Sequence, residues 1–174
     1  MSDTRQQLSM YASADTAKNI EAVRAIVDPV QYSLIPAHMT LCREDELADD
    51  VEIKSRLHKL LWPALDLRFG RPEVFSGHGI LLHCIDGEDG FRHLREHLLG
   101  TRHIRNQRPH ITLAHPRNPR ASGNTLTQVL TLPEVITIRF PAIYLIEQTG
   151  REPWRVLESY ELTAAPEPES GDGS

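Results

Sequence analysis

Apolar and polar positions along the chain switch period several times, and the switches divide it into elements. Leu8 to Ala12 reads as a first strand. Asp15 or Thr16 then caps a helix whose apolar positions, Ile20, Val23, Ile26 and Val27, recur at helical spacing. Pro29 marks its end, and Tyr32 to Cys42 reads as a strand. Asp45 to Leu61 reads as a second helix, with Leu47, Val51, Leu57, Leu60 and Leu61 keeping a period near 3.6, stopped by Trp62-Pro63. Ala64 to Phe69 alternates as a strand. His78 to Ile85, mostly apolar between Gly77 and Gly87, fits a strand covered on both faces. A third helix runs from Glu88 to Leu99, with Phe91, Leu94 and Leu98 inward and Gly100 as its stop.

A strand follows at His110 to Ala114, and a short helix at Ser122 to Leu130. Val135 to Phe140, Ala142 to Gln148 and Trp154 to Leu162 read as closing strands, with a turn at Thr149 to Glu152. The order is strand, helix, strand, helix, strand, given twice. It predicts an α+β fold: a duplicated, bilobal unit of antiparallel strands with pseudo-twofold symmetry and a central cleft. Residues 1–163 would form one domain. From 164 to 174 only Pro, Glu, Ser, Gly, Asp and Ala occur, the composition of a disordered tail.

Within this pattern one short motif occurs twice. His38-Met39-Thr40-Leu41 follows Pro36, and His110-Ile111-Thr112-Leu113 follows Pro109, so each half of the chain carries a copy. In a strand, residues i and i+2 share a face. His38 and Thr40 should therefore project together, as should His110 and Thr112, while Met39, Leu41, Ile111 and Leu113 point into a core. We expect the two motif strands to flank a central cleft, with matched imidazole–hydroxyl pairs on opposite walls of one anion pocket.

Composition narrows the reading only slightly. The chain has 174 residues, 40% hydrophobic and 25% charged, ordinary for a globular domain. No apolar run nears the roughly 20 residues of a membrane helix. The polar stretch Ser2 to Gln7 leads into no signal segment, and Cys42 and Cys84 are too few for a disulfide framework. A cytoplasmic monomer that makes no use of membranes is expected.

Charge changes the picture more by its distribution than by its sum. Net charge is −5. Yet residues 101–120 hold Arg102, Arg105, Arg108, Arg117 and Arg120 with three histidines and no carboxylate. The first copy is followed instead by Glu44, Asp45, Glu46, Asp49, Asp50 and Glu52. The field around the second copy suits an anionic ligand.

Two imidazoles at one cleft can serve as general base and general acid, since a histidine near pKa ~6.5 is available in either protonation state. Threonine hydroxyls can donate to the non-bridging oxygens of a phosphodiester. No recognisable nucleophilic Ser or Cys motif occurs, and His-x-Thr is not a chelating spacing, so metal ligation ranks behind acid–base work. His58, His78, His83, His93, His97 and His103 have no partner at a telling spacing.

The paired motifs resemble the signature of the two-histidine (2H) phosphoesterase superfamily, in particular its 2′-5′ RNA ligase and RNA 2′,3′-cyclic phosphodiesterase group. The resemblance spans roughly Leu8 to Leu162. It implies a bilobal α+β fold acting without metal or nucleotide cofactor on RNA ends or small cyclic nucleotides, with a lean towards 2′-phosphate products. His38 and His110 would be the catalytic pair, and Thr40 and Thr112 would bind phosphate. Relatives often carry Arg five residues after a motif histidine. Arg43 matches, whereas His115 departs, a weaker and pH-dependent donor that counts against a long RNA. Tyr11, Phe75 and Trp154 could stack on a base, Tyr11 being preferred for its place on the first strand. A binding module of the same fold that holds an RNA end or nucleotide without turnover is the alternative, as is a phosphodiesterase acting on another small cyclic phosphate.

Overall fold

The computed structural model describes residues 3–48, 50–117 and 126–163. One antiparallel sheet of eight strands runs through them in the order β6-β3-β4-β5-β2-β1-β7-β8. The strands are β1 (Thr4–Tyr11), β2 (His38–Cys42), β3 (Leu65–Phe75), β4 (Gly79–Asp86), β5 (His110–Ala114), β6 (Ile136–Phe140), β7 (Ala142–Thr149) and β8 (Arg155–Glu161). The helices are α1 (Ala14–Val27), α2 (Pro29–Leu34), α3 (Asp50–His58), α4 (Glu88–Leu99) and α5 (Leu126–Val129), with a 3₁₀ turn at Glu44–Glu46.

The expected duplication is present. β1-α1-β2 and β4-α4-β5 are matching units, each running outer strand, helix, motif strand, and they meet at the centre of the sheet. The lobes are not contiguous halves of the chain, however. β3 pairs with β4 in the second lobe, and β7 and β8 return to the first, beside β1.

The motif strands also sit differently from expectation. They are not on opposite walls but side by side, paired antiparallel through Met39 and Ile111. Each contributes the last strand of its own lobe, so the lobes join edge to edge. Both strands bury their residues in the same order: half-buried His, buried Met or Ile, half-buried Thr, then two buried residues. The apolar side faces a core shared with Ile20 and Val23 of α1 and with Phe91, Leu94 and Leu98 of α4. α1 lies over β5, and α4 lies over β2 and β3. Each helix therefore covers strand from the other lobe, and the opposite face of the motif strands is left open.

Some element boundaries moved for identifiable reasons. Pro29 does not simply end a helix. It starts α2, because Asp28 caps the new turn by accepting from Gln31 N at 3.0 Å and proline suits a first helical position. The strand read from Tyr32 therefore begins only at His38. The helix read over Asp45 to Leu61 is broken into the 3₁₀ turn and α3, which resets its phase. Ile53 and Leu57 face the core, while Val51 and Leu61 are exposed. β1 begins at Thr4, earlier than the alternation suggested, because it pairs with β7 from Thr149 to Tyr144. Gly100, at φ 68°, stops α4 as expected. The start of the helix read over Ser122 to Leu130 and the tail from 164 lie outside the described residues. Cys42 and Cys84 are buried free thiols.

Met39 and Ile111 are the two fully buried side chains at the seam. Met39→Ala or Ile111→Ala should each destabilise the protein by roughly 2–5 kcal/mol, the range for large-to-small core changes. Chemical denaturation midpoints will check this.

Candidate active site

Counting outward from the Met39–Ile111 pair puts Thr40 opposite His110 and His38 opposite Thr112. All four point to the open face. The histidines are then diagonal neighbours, with backbones roughly 7–8 Å apart for such a pair. The four side chains form a compact square on the floor of a groove rather than two facing walls.

The local chain fixes how each imidazole is presented. His38 Nδ1 lies 3.0 Å from Pro36 O, and His110 Nδ1 lies 3.0 Å from Arg108 O. A carbonyl oxygen can only accept, so in both rings Nδ1 carries the proton and donates it. Nε2 is left as the ring nitrogen without a hydrogen-bond partner among the described residues in each. Outer neighbours complete the symmetry. Tyr11 pairs with His38 and His83 with His110 across their strands. The rings meet edge to face at 6.4 Å and 6.2 Å between centroids.

β2 is held at both ends by buried Arg–Glu pairs. Ahead of it, Arg24 of α1 donates to Glu21 Oε1 at 2.7 Å and to Ile35 O at 2.8 Å, while Glu21 accepts from Ala37 N at 2.6 Å. Behind it, Arg95 of α4 donates to Glu46 Oε1 at 2.6 Å and to Leu41 O, while Glu46 accepts from Arg43 N at 2.9 Å. Arg24 and Arg95 are 2% and 1% exposed, so each charge depends on its carboxylate. On the β5 side Gln107 Nε2 donates to Thr40 O at 2.9 Å, tying the loop before β5 to β2.

The two rings differ in their surroundings. Burial pushes the His38 pKa down to about 4, with Arg24 and His110 adding to the effect and the hydrogen bond to Pro36 opposing it. His83 is also lowered, first by burial and then by Arg108. His115 is lowered by burial and by Arg117. Its Nδ1 accepts from Arg117 N at 3.1 Å, which leaves Nε2–H as a donor. In that tautomer the neutral His115 ring presents Nε2–H as its donor. Burial, then Tyr144, pushes the Tyr11 phenol up to about 12.

A groove of about 800 Å³ contains His38, Thr40, His110, Thr112 and His115, together with Trp154. Of the residues expected at the site, the structure gathers these and separates others. Arg43 lines an adjoining groove with Thr40 and His110, where Asp45 sits 3.7 Å away. Tyr11 lies beside His38 without lining either groove. Phe75 is at the β3–β4 hairpin, far along the sheet, with its ring against Gly79. Sequence reasoning missed Arg5, Gln148, Arg151 and His83. None carries a motif, and only the strand pairings bring them to the site. Among the described residues no group of three or more His, Cys, Asp or Glu gathers as a metal-ligand set.

Two outcomes follow from this geometry. In an NMR titration the His38 ring should titrate well below its ordinary value of ~6.5, near 4. Because the unfolded chain takes up that proton first, folding stability should fall as pH drops from about 6.5 towards 4, and less so in His38→Asn. Separately, Arg95→Met should cost roughly 3–5 kcal/mol by stranding Glu46, and Arg95→Met with Glu46→Leu should recover much of that loss in thermal melts.

The geometry agrees with what the chain is similar to. The family described as the 2′-5′ RNA ligase superfamily matches residues 12–152. A crystal structure of E. coli LigT complexed with NADP+ is 18% identical, with a TM-score of 0.59, covering 91% of this chain and 98% of that one. The E. coli LigT complex with phosphate is 16% identical at TM-score 0.59, covering 94% and 99%. A structure described as a phosphoesterase is 17% identical at TM-score 0.59, covering 92% and 98%. No curated protein matches. A family match over most of the chain, with a whole-length likeness in fold, places the paired His-x-Thr strands in a known setting: the protein belongs to the 2′-5′ RNA ligase superfamily.

Proposed function

We propose that the protein is a metal-independent phosphodiesterase that opens 2′,3′-cyclic phosphates on RNA ends or nucleotides. One observation carries this reading: two imidazoles with free Nε2 atoms and two threonine hydroxyls share one face of adjacent strands. Thr40 and Thr112 hold the non-bridging oxygens, and each hydroxyl is free of other side-chain partners among the described residues. His38, neutral in the free protein, takes a proton from water as its oxygen adds to phosphorus. One ring P–O bond breaks, and His110 protonates the departing ribose oxygen. Proton exchange with solvent then resets both rings. With an RNA 5′-hydroxyl in place of water, the same transfers would form a 2′-5′ linkage.

Such proton transfers are each worth ~10²–10⁴-fold, so His38→Ala and His110→Ala should lower kcat by that order on adenosine 2′,3′-cyclic phosphate. Both side chains sit on the open face, so circular dichroism melts should stay close to wild type. Activity should persist in EDTA, and the acid limb of kcat/KM against pH should lie below 6.5, towards the His38 value near 4. A double variant that turns over at the wild-type rate would remove the proposal. Tight binding of the cyclic nucleotide without any product would instead show a binding module.

A further inference from the structure

Two arginine-bearing grooves adjoin the His–Thr square; they share Arg5, Gln7, Thr40, His110 and Trp154, and beyond these they differ in charge balance. On one flank are Arg43 and Arg105. Both face Asp45: Arg105 donates to it at 2.6 Å, and Arg43 Nε lies 3.7 Å from it. Glu44 lines the same groove. This flank is largely neutralised from within, and the field expected around residues 101–120 is spent partly on the acidic segment after β2.

The other flank is built from Arg5, His115, Arg117 and Arg151, around Trp154. Among the described residues no Asp or Glu lines this groove, in a protein whose net charge is −5; the nearest carboxylate is the buried Asp28, which accepts from His115 N at 2.8 Å. Arg24 also reaches it but is committed to Glu21. Arg5 donates to the neutral amide of Gln148 at 3.0 Å and stacks over Trp154 at 5.1 Å, and among the described residues it forms no ion pair with a carboxylate. Arg117 and Arg151 are exposed, and neither is paired with a carboxylate among the described residues. His115 adds a neutral Nε2–H donor. Val30, Leu34 and Trp154 add apolar surface to the same groove.

We infer that this flank is a second anion subsite, and that the ligand is a nucleotide with two phosphate groups: the reacting one on the His–Thr square and a further one held by Arg117, Arg151 and Arg5. The ligand's base or sugar would lie along the apolar surface. Arginines free of carboxylate ion pairs among the described residues, beside an apolar surface, match a nucleotide, which carries both kinds of surface. Arg43 plays no part, because Asp45 already satisfies it and it lies on the other flank. This rests on the reading of the square as a phosphate site. It sets the substrate as an RNA end with an internal phosphodiester, or a nucleotide carrying a 5′-phosphate, rather than a bare cyclic mononucleotide.

The test compares adenosine 3′,5′-bisphosphate with adenosine 3′-monophosphate by titration calorimetry on the full chain. A charge-assisted contact to the second phosphate should make the bisphosphate bind about tenfold tighter or more. That ratio should fall close to one in Arg117→Ala with Arg151→Ala, and recover in part with lysine at both positions. It should persist in Arg43→Ala. Equal affinities in the wild-type protein, or a ratio lost through Arg43→Ala instead, would overturn the subsite. The measurement needs no turnover. Hydrolysis of cyclic phosphate without a bisphosphate preference would sink this inference alone, while a bisphosphate preference without hydrolysis would sink only the catalytic reading.

Discussion

The pairing of β2 with β5 is the constraint on which the site depends. Each lobe presents its motif strand as its inner edge, and these two edges pair with each other, while β6 and β8 form the outer edges of the sheet. A strand's side chains alternate, so a slip of one residue in either strand would turn its His and Thr into the core and its Leu and Ile outward. Burial therefore enforces register: Met39, Leu41, Ile111 and Leu113 are all essentially inaccessible. The same apolar residues that join the lobes decide that four polar groups meet on the other side. Core formation and site assembly are here one event.

Register alone does not fix atoms to the precision that proton transfer requires. The backbone on either side of β2 is held by Glu21–Arg24 and Glu46–Arg95, whose side chains bond to backbone within three residues of the strand ends. Buried ion pairs contribute little to net stability, since desolvation offsets most of their attraction. Their value lies in specificity. Each pair has one arrangement that satisfies both the charge and the neighbouring peptide groups. Ahead of β2 that arrangement holds the Ile35–Ala37 segment, and with it the Pro36 carbonyl that orients His38.

The sequence displayed the strands and the shared face of each His and Thr clearly, because period two is a local property. It did not display which strands would be neighbours. Opposite walls and adjacent strands both satisfy a duplicated His-x-Thr, and only the long-range pairing distinguishes them. Local competition hid α2, where Asp28 and Pro29 start a helix in a stretch that otherwise reads as extended. Charge was legible as composition and misleading as a field. The arginines of residues 101–120 looked like one basic patch, but Arg105 is answered by Asp45 from 60 positions earlier. His83 drew no attention in the sequence, since nothing local announces that β4 sets it beside His110.

A duplicated unit makes two sites alike, whereas acid–base catalysis needs two groups that differ. The shared part is the same strand position, the same Nδ1 bond to the carbonyl two residues back, and a ring from the neighbouring strand edge to face. The difference comes from what the duplication did not copy. His38 has the phenol of Tyr11 beside it and the Arg24 cation near it, and α2 and its capping loop close over that side. His110 has the imidazole of His83, and it opens onto both grooves. Burial and a nearby cation lower one ring while leaving its geometry matched to the other. The asymmetry between the two rings thus arises from side chains around the motif rather than from the motif, and for that reason the two His-x-Thr copies alone could not display it.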